Sequence, residues 1–386
     1  MRAPGACLLA LLLAGPAMAA DHITIGFIST LTGPGGLTGI KTREGMRLGI
    51  EVLGGKIGGL PVTFLSEDDQ QKPEIGRQIA EKYLLQDHAD VVVAGGFSNV
   101  FLAIEGVVAK AKIPVISVNA GPSALAGKEC SPYFFSTSWQ GDNYAEAMGA
   151  ALEKRGVKNP YLMAPNYVAG RDVLTGFKRS FTGPLAGEVY TPLAQLDFSA
   201  ELASLRAANP GAVFVFYPGG LGLQFLKQWA QSGLGEKIPL YTAYTLDVTS
   251  LPAVGEAAMG TELTSFWSAE LDNPANKRFV AAYRKMFDGP PMEYAAQAYD
   301  SIMLLDAAVR AIGGRIEDRP AFLAAIRAAK FDSVRGNFHF ANDGFPTQDF
   351  YLEKIVRGAD GKPTIKLEDK VLADHSNAYA KECPLK

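Results

Sequence analysis

The sequence is poor in the residues and spacings that mark nucleotide, metal and acyl-transfer chemistry. The glycine-rich stretch GPGGLTGIKT, residues 33–42, ends in Lys-Thr like a phosphate-binding loop. Such a loop needs its lysine directly after the last glycine, so that backbone and side chain meet one phosphate. Here Ile40 separates Gly39 from Lys41, and Thr38 stands where a G-x-G-x-x-G turn requires glycine. The four histidines (His22, His88, His339, His375) and three cysteines are scattered, with no C-x-x-C or H-E-x-x-H spacing to close a metal shell, and no metal site is expected. G-x-S-x-G is absent and the histidines fall outside every glycine-rich loop, so neither catalysis nor a cofactor is expected. Charge is nearly balanced at −3, which gives no footing for nucleic acid.

Long apolar runs are missing as well. The stretch from Cys7 to Ala14 falls far short of the roughly 20 residues a spanning helix needs. With Arg2 before it, and a Gly-Pro break and Ala17-Met18-Ala19 after it, the segment reads as a secretory signal cleaved after Ala19. The expected product is a soluble, exported protein with no inserted segment. Cleavage removes Cys7 and leaves Cys130 and Cys383 in a compartment that permits disulfides. The two are expected to pair; isolated buried thiols are the alternative, because sequence alone does not bring their Cα atoms within bonding range.

What is present is a globular composition, 48% hydrophobic and 20% charged, in a chain longer than the roughly 250–300 residues that one core accommodates. Two domains are therefore expected. Short β-branched or aromatic runs alternate with amphipathic stretches: ITIGFIS then TREGMRLGIEVL, LPVTFLSED then PEIGRQIAEKYLLQD, ADVVVAGG then NVFLAIEGVVAKAK, then IPVISVNA. A second series runs from NYAEAMGAALEKRG through AVFVFYPG to IPLYTAYT. This is an α/β pattern of two doubly wound parallel-sheet lobes. Three successive helices follow, and FHFANDGFPTQDFYLEKIV reads as a hairpin around Asn342-Asp343-Gly344. No low-complexity linker divides the chain, so the lobes are expected to exchange segments through several crossings.

In open α/β sheets ligands sit beyond the carboxyl ends of the strands. The loops there are Thr32 to Gly36, Gly95 to Asn99 and Ser117 to Gly121, all small and weakly charged. Helix N-termini, the Ser98 hydroxyl and the Asn119 amide could hold a carboxylate without an arginine; tight helix-capping turns are the alternative. GPGGLTG is then the first such turn, its glycines allowing close backbone approach, and Lys41 a solvated side chain.

The order of these elements, with IGFISTLTGPGG, VTFLSEDDQQKPEIGRQIAEKYL, GGFSN, IPVISVNAGPSAL, FFSTSWQGDN, NYVAGRD and LDFSAELASLRAANPGAVFV, resembles the periplasmic solute-binding proteins of ABC importers, specifically the branched-chain amino acid class with the type I binding-protein fold. The resemblance implies two lobes joined by three hinge crossings, a ligand clamped between them without chemistry, and a membrane permease as partner. Residues 1–19 are the signal, 20–137 with 267–338 one lobe, and 138–266 with 339–386 the other. The crossings fall near Ser136 to Trp139, Thr264 to Trp267 and Gly336 to Asn342, where Trp139 and Trp267 are expected to be structural. A monomer is expected.

By the same resemblance Ser98, and Asn119 with Gly121, hold the ligand carboxylate, while Tyr167, backbone around Gly219 and Tyr294 complete the site. Amino-acid binders carry an acidic residue for the ligand ammonium where alignment places Tyr244. With Phe97 in reach, an aromatic or apolar carboxylate suits this cleft better, unless Asp247 supplies the missing charge. Binding of branched-chain or other amino acids, and service as a ligand-sensing receptor subunit, are the alternatives.

Overall fold

A computed structural model describes residues 19–385 of the chain; the signal segment up to Met18 lies outside the described residues. The first series of elements is β1 (Ile23–Ser29), α1 (Gly36–Val52), β2 (Lys56–Ile57), β3 (Leu60–Asp68), α2 (Pro73–Leu85), β4 (Val91–Ala94), α3 (Ser98–Val108), β5 (Val115–Ser117) and β6 (Phe134–Ser136). They form one sheet in the order β2-β3-β1-β4-β5-β6, parallel throughout except for the short β2. Residues of β1 and β4 are buried on both faces, Thr24 and Ser29 of β1 included, as the near-continuous apolar runs of a helix-covered parallel sheet should be.

The second series is α4 (Asn143–Lys154), β7 (Pro160–Pro165), α5 (Val168–Ser180), β8 (Gly187–Thr191), α6 (Ser199–Ala208), β9 (Ala212–Val215), α7 (Gly220–Ser232), β10 (Leu240–Thr242), α8 (Leu251–Val254) and β11 (Glu262–Ser265). Then come α9 (Pro274–Met286), α10 (Glu293–Ala311), α11 (Arg319–Ala328), β12 (Phe338–Phe340), β13 (Pro346–Arg357) and β14 (Pro363–His375). The second sheet runs β12-β13-β11-β10-β9-β7-β8, with β14 also on β13. It is parallel from β8 to β11 and antiparallel from β13 onward. The change follows from the expected hairpin: β12 turns through Gly344 at φ +81°, which sends β13 back against β11.

One boundary differs from the expectation. Helix α1 begins at Gly36, within GPGGLTG, and not near Thr42. Glycine's low helix propensity conceals this in the sequence, and packing requires it: a Cβ on Gly39 would lie 2.0 Å from the Thr30 carbonyl oxygen, and one on Gly45 2.1 Å from that of Ala295 in α10. Lys41 is likewise not a solvated side chain. It is 15% exposed and pairs with Glu44 at 2.9 Å.

The chain passes between the sheets after β6, after β11 and after α11, and one buried arginine ties the three passages together. Arg335 is 2% exposed. Its Nε donates to Asp300 of α10 at 3.0 Å, and its Nη1 to Gln348 of β13 at 2.7 Å and to the Ser138 carbonyl at 3.3 Å. Its guanidinium lies 5.0 Å from the Phe266 ring, just after β11. Beyond β14 the tail returns to the first sheet, where Cys383 is disulfide-bonded to Cys130 as expected, with Cα atoms 5.7 Å apart. Among the described residues no helix is long and apolar enough to cross a membrane.

Candidate functional site

The carboxyl ends of the two parallel sheets face each other across a cleft of about 530 Å³, counting its mouth. All eight residues singled out from sequence line it: Phe97, Ser98, Asn119, Gly121, Tyr167, Gly219, Tyr244 and Tyr294.

From the first sheet, the β4 loop delivers Phe97 and Ser98 to the start of α3. No side chain caps that helix, so its first-turn N–H groups and the 3% exposed Ser98 can meet an anion. Asn119 departs from its expected role. Its Nδ2 donates to the Gly95 and Gly96 carbonyls, both at 3.2 Å, so the amide braces the β4 loop and its donors are already engaged. Buried carbonyls in a glycine loop need a donor, and this side chain supplies it. Gly121 sits where only glycine fits, since a Cβ there would lie 2.1 Å from the Trp139 carbonyl oxygen.

From the second sheet, Tyr167 stands at the start of α5 with its ring stacked on Phe216 and 6.0 Å from Phe97. Gly219, at φ +63°, opens α7 and brings its backbone to the opposite turn, where Gly220 N–H donates to the Pro34 carbonyl at 3.1 Å. The close approach between the two loops is made by Gly219 and Gly220 against Pro34, and not by the glycines of the first loop, whose added Cβ atoms would meet only their own lobe or nothing. Tyr244 adopts φ +54°, a conformation that tyrosine rarely takes, and is held there by rings on every side: Trp139 at 4.5 Å, Tyr144 at 4.4 Å and Tyr294 at 5.4 Å.

Six aromatic side chains therefore line the cleft: Phe97, Trp139, Tyr167, Phe216, Tyr244 and Tyr294. No charged side chain lines it among the described residues. Trp139, expected to be structural, is one of the six, because the first crossing forms the floor. Asp247 does not supply the missing charge. It lines a different cavity, and its Oδ1 accepts from Thr249 N–H at 2.7 Å, Thr249 Oγ1 at 2.6 Å and Ser250 N–H at 2.9 Å, closing its own turn. Two groups escaped the sequence reading. Behind Tyr244, the Tyr144 hydroxyl bonds to that of Tyr244 and donates to Glu293 at 3.3 Å, while Ser265 donates to the same carboxyl oxygen at 3.0 Å. Burial holds the Glu293 carboxyl well above the ordinary carboxylate range.

The lobes are clasped at the rim. Asp172 of α5 accepts from Ser123 N–H at 2.9 Å and from Ser123 Oγ at 2.6 Å. Burial pushes its carboxyl from 3.8 up to about 6, and the charge of Asp142 adds to this against the Ser123 bonds. Opening the cleft returns the group toward water and its ordinary value. Protonation therefore favours closure, in full below the lower value, and the gain is lost as pH rises through the upper one. Ligand affinity should increase as pH falls from about 7 to about 5, and Asp172→Asn should flatten the slope. Calorimetry across this range checks it, and an unchanged slope in the variant would refute the assignment.

The sequence profile of the periplasmic binding protein family matches residues 22–362. The chain belongs to the periplasmic binding protein family. Leu/Ile/Val-binding protein homolog 6 of Brucella melitensis biotype 1 is 27% identical over 360 residues, covering 90% of this chain and 91% of that protein. Two solved structures are similar along nearly the whole length. One is an ABC-transporter solute-binding protein of R. palustris in complex with benzoate, at 30% identity and TM-score 0.88, covering 94% of this chain and 100% of that one. The other is a solute-binding protein of Rhodopseudomonas palustris BisB5 in complex with 3,4-dihydroxybenzoic acid, at 30% identity and TM-score 0.86, covering 93% of this chain and 99% of that one. These relatives are binding proteins, not enzymes.

Proposed function

We propose that the protein is the periplasmic binding component of an ABC importer, which clamps an aromatic carboxylate lacking an α-ammonium and presents it, without chemical change, to a membrane permease. The observation that carries this reading is the cleft lined by six aromatic rings and no charged side chain. An aryl group gains area and ring contacts against such walls. The carboxylate has neutral donors at the other end, from Ser98, the first turn of α3 and the backbone near Gly121. An ammonium would find no counter-charge in the cleft and would be buried at a cost of several kcal/mol. The benzoate and dihydroxybenzoate complexes of the R. palustris proteins support the same choice over leucine. The four histidines lie outside the cleft, and no residue is assigned a catalytic role. The protein acts as a monomer in this reading.

Calorimetry with benzoate, 4-hydroxybenzoate, leucine and valine tests it. Benzoates should bind at least about a hundredfold more tightly than the amino acids, the ratio set by an unpaired buried ammonium. Micromolar binding of leucine with none of benzoate would refute the reading.

A further inference from the structure

A second cavity, of about 570 Å³ counting its mouth, lies behind the Tyr144–Tyr244 pair, between the second sheet and the segment that leads into α10. Its walls come from the β10–α8 loop, from β11 and the turn after it, from the segment before α10 and its first residue, and from β13 and β14. Most of the lining is apolar, including Leu246, Leu263, Trp267, Met292 and Ile365. Four carboxyls share it: Asp247, Glu270, Glu293 and Glu353. Two are accounted for within the fold, since Asp247 closes its own turn and Glu270 pairs with Lys366 at 2.8 Å. Glu293 and Glu353 have no ion-pair partner among the described residues, and no lysine, arginine or histidine lines the cavity. Glu353 is only 6% exposed. Two carboxyls facing an apolar space without a cation are a costly arrangement unless they stay protonated or something positive enters.

We propose that this cavity is a second binding site, distinct from the cleft, for a small alkyl- or arylammonium cation whose charge meets Glu293 and Glu353 and whose apolar body packs on Trp267 and Met292. Trp267 adds a ring face suited to a cation. A divalent metal fits the lining poorly: calcium needs six to eight oxygen ligands, and no cluster of three metal-binding side chains occurs among the described residues. A neutral apolar guest would leave both carboxyls unanswered.

The electrostatics agree with this geometry. Burial, offset in part by the Ser268 hydroxyl and reinforced by the charge of Glu270, pushes the Glu353 carboxyl up to about 7. Glu293 is raised by burial first and by Glu353 and Asp247 beyond that, and Tyr144 and Ser265 hydroxyls face it. A bound cation reverses the effect. One proton should therefore leave the carboxyl pair for the buffer as the ammonium enters at about pH 6, and progressively less at higher pH.

The test is calorimetry on the mature protein with benzylammonium chloride, with benzyl alcohol as its neutral match, in buffers of different ionisation enthalpy. Expected are one-to-one binding of benzylammonium, a preference over benzyl alcohol of about tenfold or more, and proton release near pH 6. Glu353→Gln and Glu293→Gln should each weaken binding about tenfold or more. The proton count on unmutated protein stands even if a variant folds poorly. No binding at millimolar benzylammonium, equal binding of the alcohol, or binding without proton release and insensitive to both substitutions would overturn the proposal. Failure of benzoate to bind the cleft is a separate result and would leave this site in place.

Discussion

Arg335→Met should destabilise the protein by about 3–5 kcal/mol, read as a fall in the denaturant midpoint at unchanged slope. The guanidinium and Asp300, 0% exposed, form a buried pair, and removing the cation leaves a carboxylate in the interior with only Ser333 Oγ and Val334 N–H as donors. Losing one partner is far worse than losing both, because the cost is that of the stranded charge. Asp300→Leu combined with Arg335→Met should therefore recover much of the loss. The single variant should also affect closure, since Arg335, itself in the third passage between the lobes, holds Ser138 and the Phe266 ring of the other two and Gln348 of β13. A midpoint within experimental error of the parent protein would show that water reaches Asp300.

Gly121→Ala should lower aromatic-acid affinity by about ten- to a hundredfold, from an overpacking cost of about 1–3 kcal/mol. The obstacle is backbone: the Trp139 carbonyl oxygen would stand 2.1 Å from the new methyl group, and Gly141 N 3.0 Å from it. Neither can swing aside like a side chain. Relief requires the floor of the cleft to move, which parts Gly141 N–H from the Gly121 carbonyl and shifts Trp139 against Tyr244. Gly106→Ala in α3 is the matched control. A Cβ there meets nothing within 4 Å, so affinity should hold and stability should rise by up to about 1 kcal/mol. Equal affinities for the two variants would disprove the steric argument.

Much of this architecture is legible in the residues, for identifiable reasons. The run ITIGFIS is β1, residue for residue, because a strand buried on both faces is apolar nearly throughout, here with only Thr24 and Ser29 polar. The eight cleft residues gather because each stands at the carboxyl end of a strand or the start of a helix, positions that the alternation of elements fixes. Other features are legible only once packing is known. Gly36 and Gly39 read as loop because their helix depends on contacts with residues that sequence does not place beside them. Asn119 has the right location, but its donors go to carbonyls nearby in space. Trp139 carries no mark that separates a hinge residue from a floor. Glu293 is a charged letter next to Tyr294, and nothing in that order tells that its carboxyl lies behind a pair of tyrosines.

The bond between Cys130 and Cys383 spans 253 positions, and every element from β6 to β14 lies inside the ring that it closes. Mechanically, the molecule is an open segment that carries β1 to β5, attached to a covalent loop. A tension applied between the two ends of the oxidised chain runs through the residues before Cys130, across the sulfur atoms, and out at Cys383. The whole second sheet hangs beside that line of force and carries none of it. Stretching can peel β1 to β5 from the first lobe, yet the strands that hold Tyr167, Gly219 and Tyr244 stay slack until the sulfur bridge is cut.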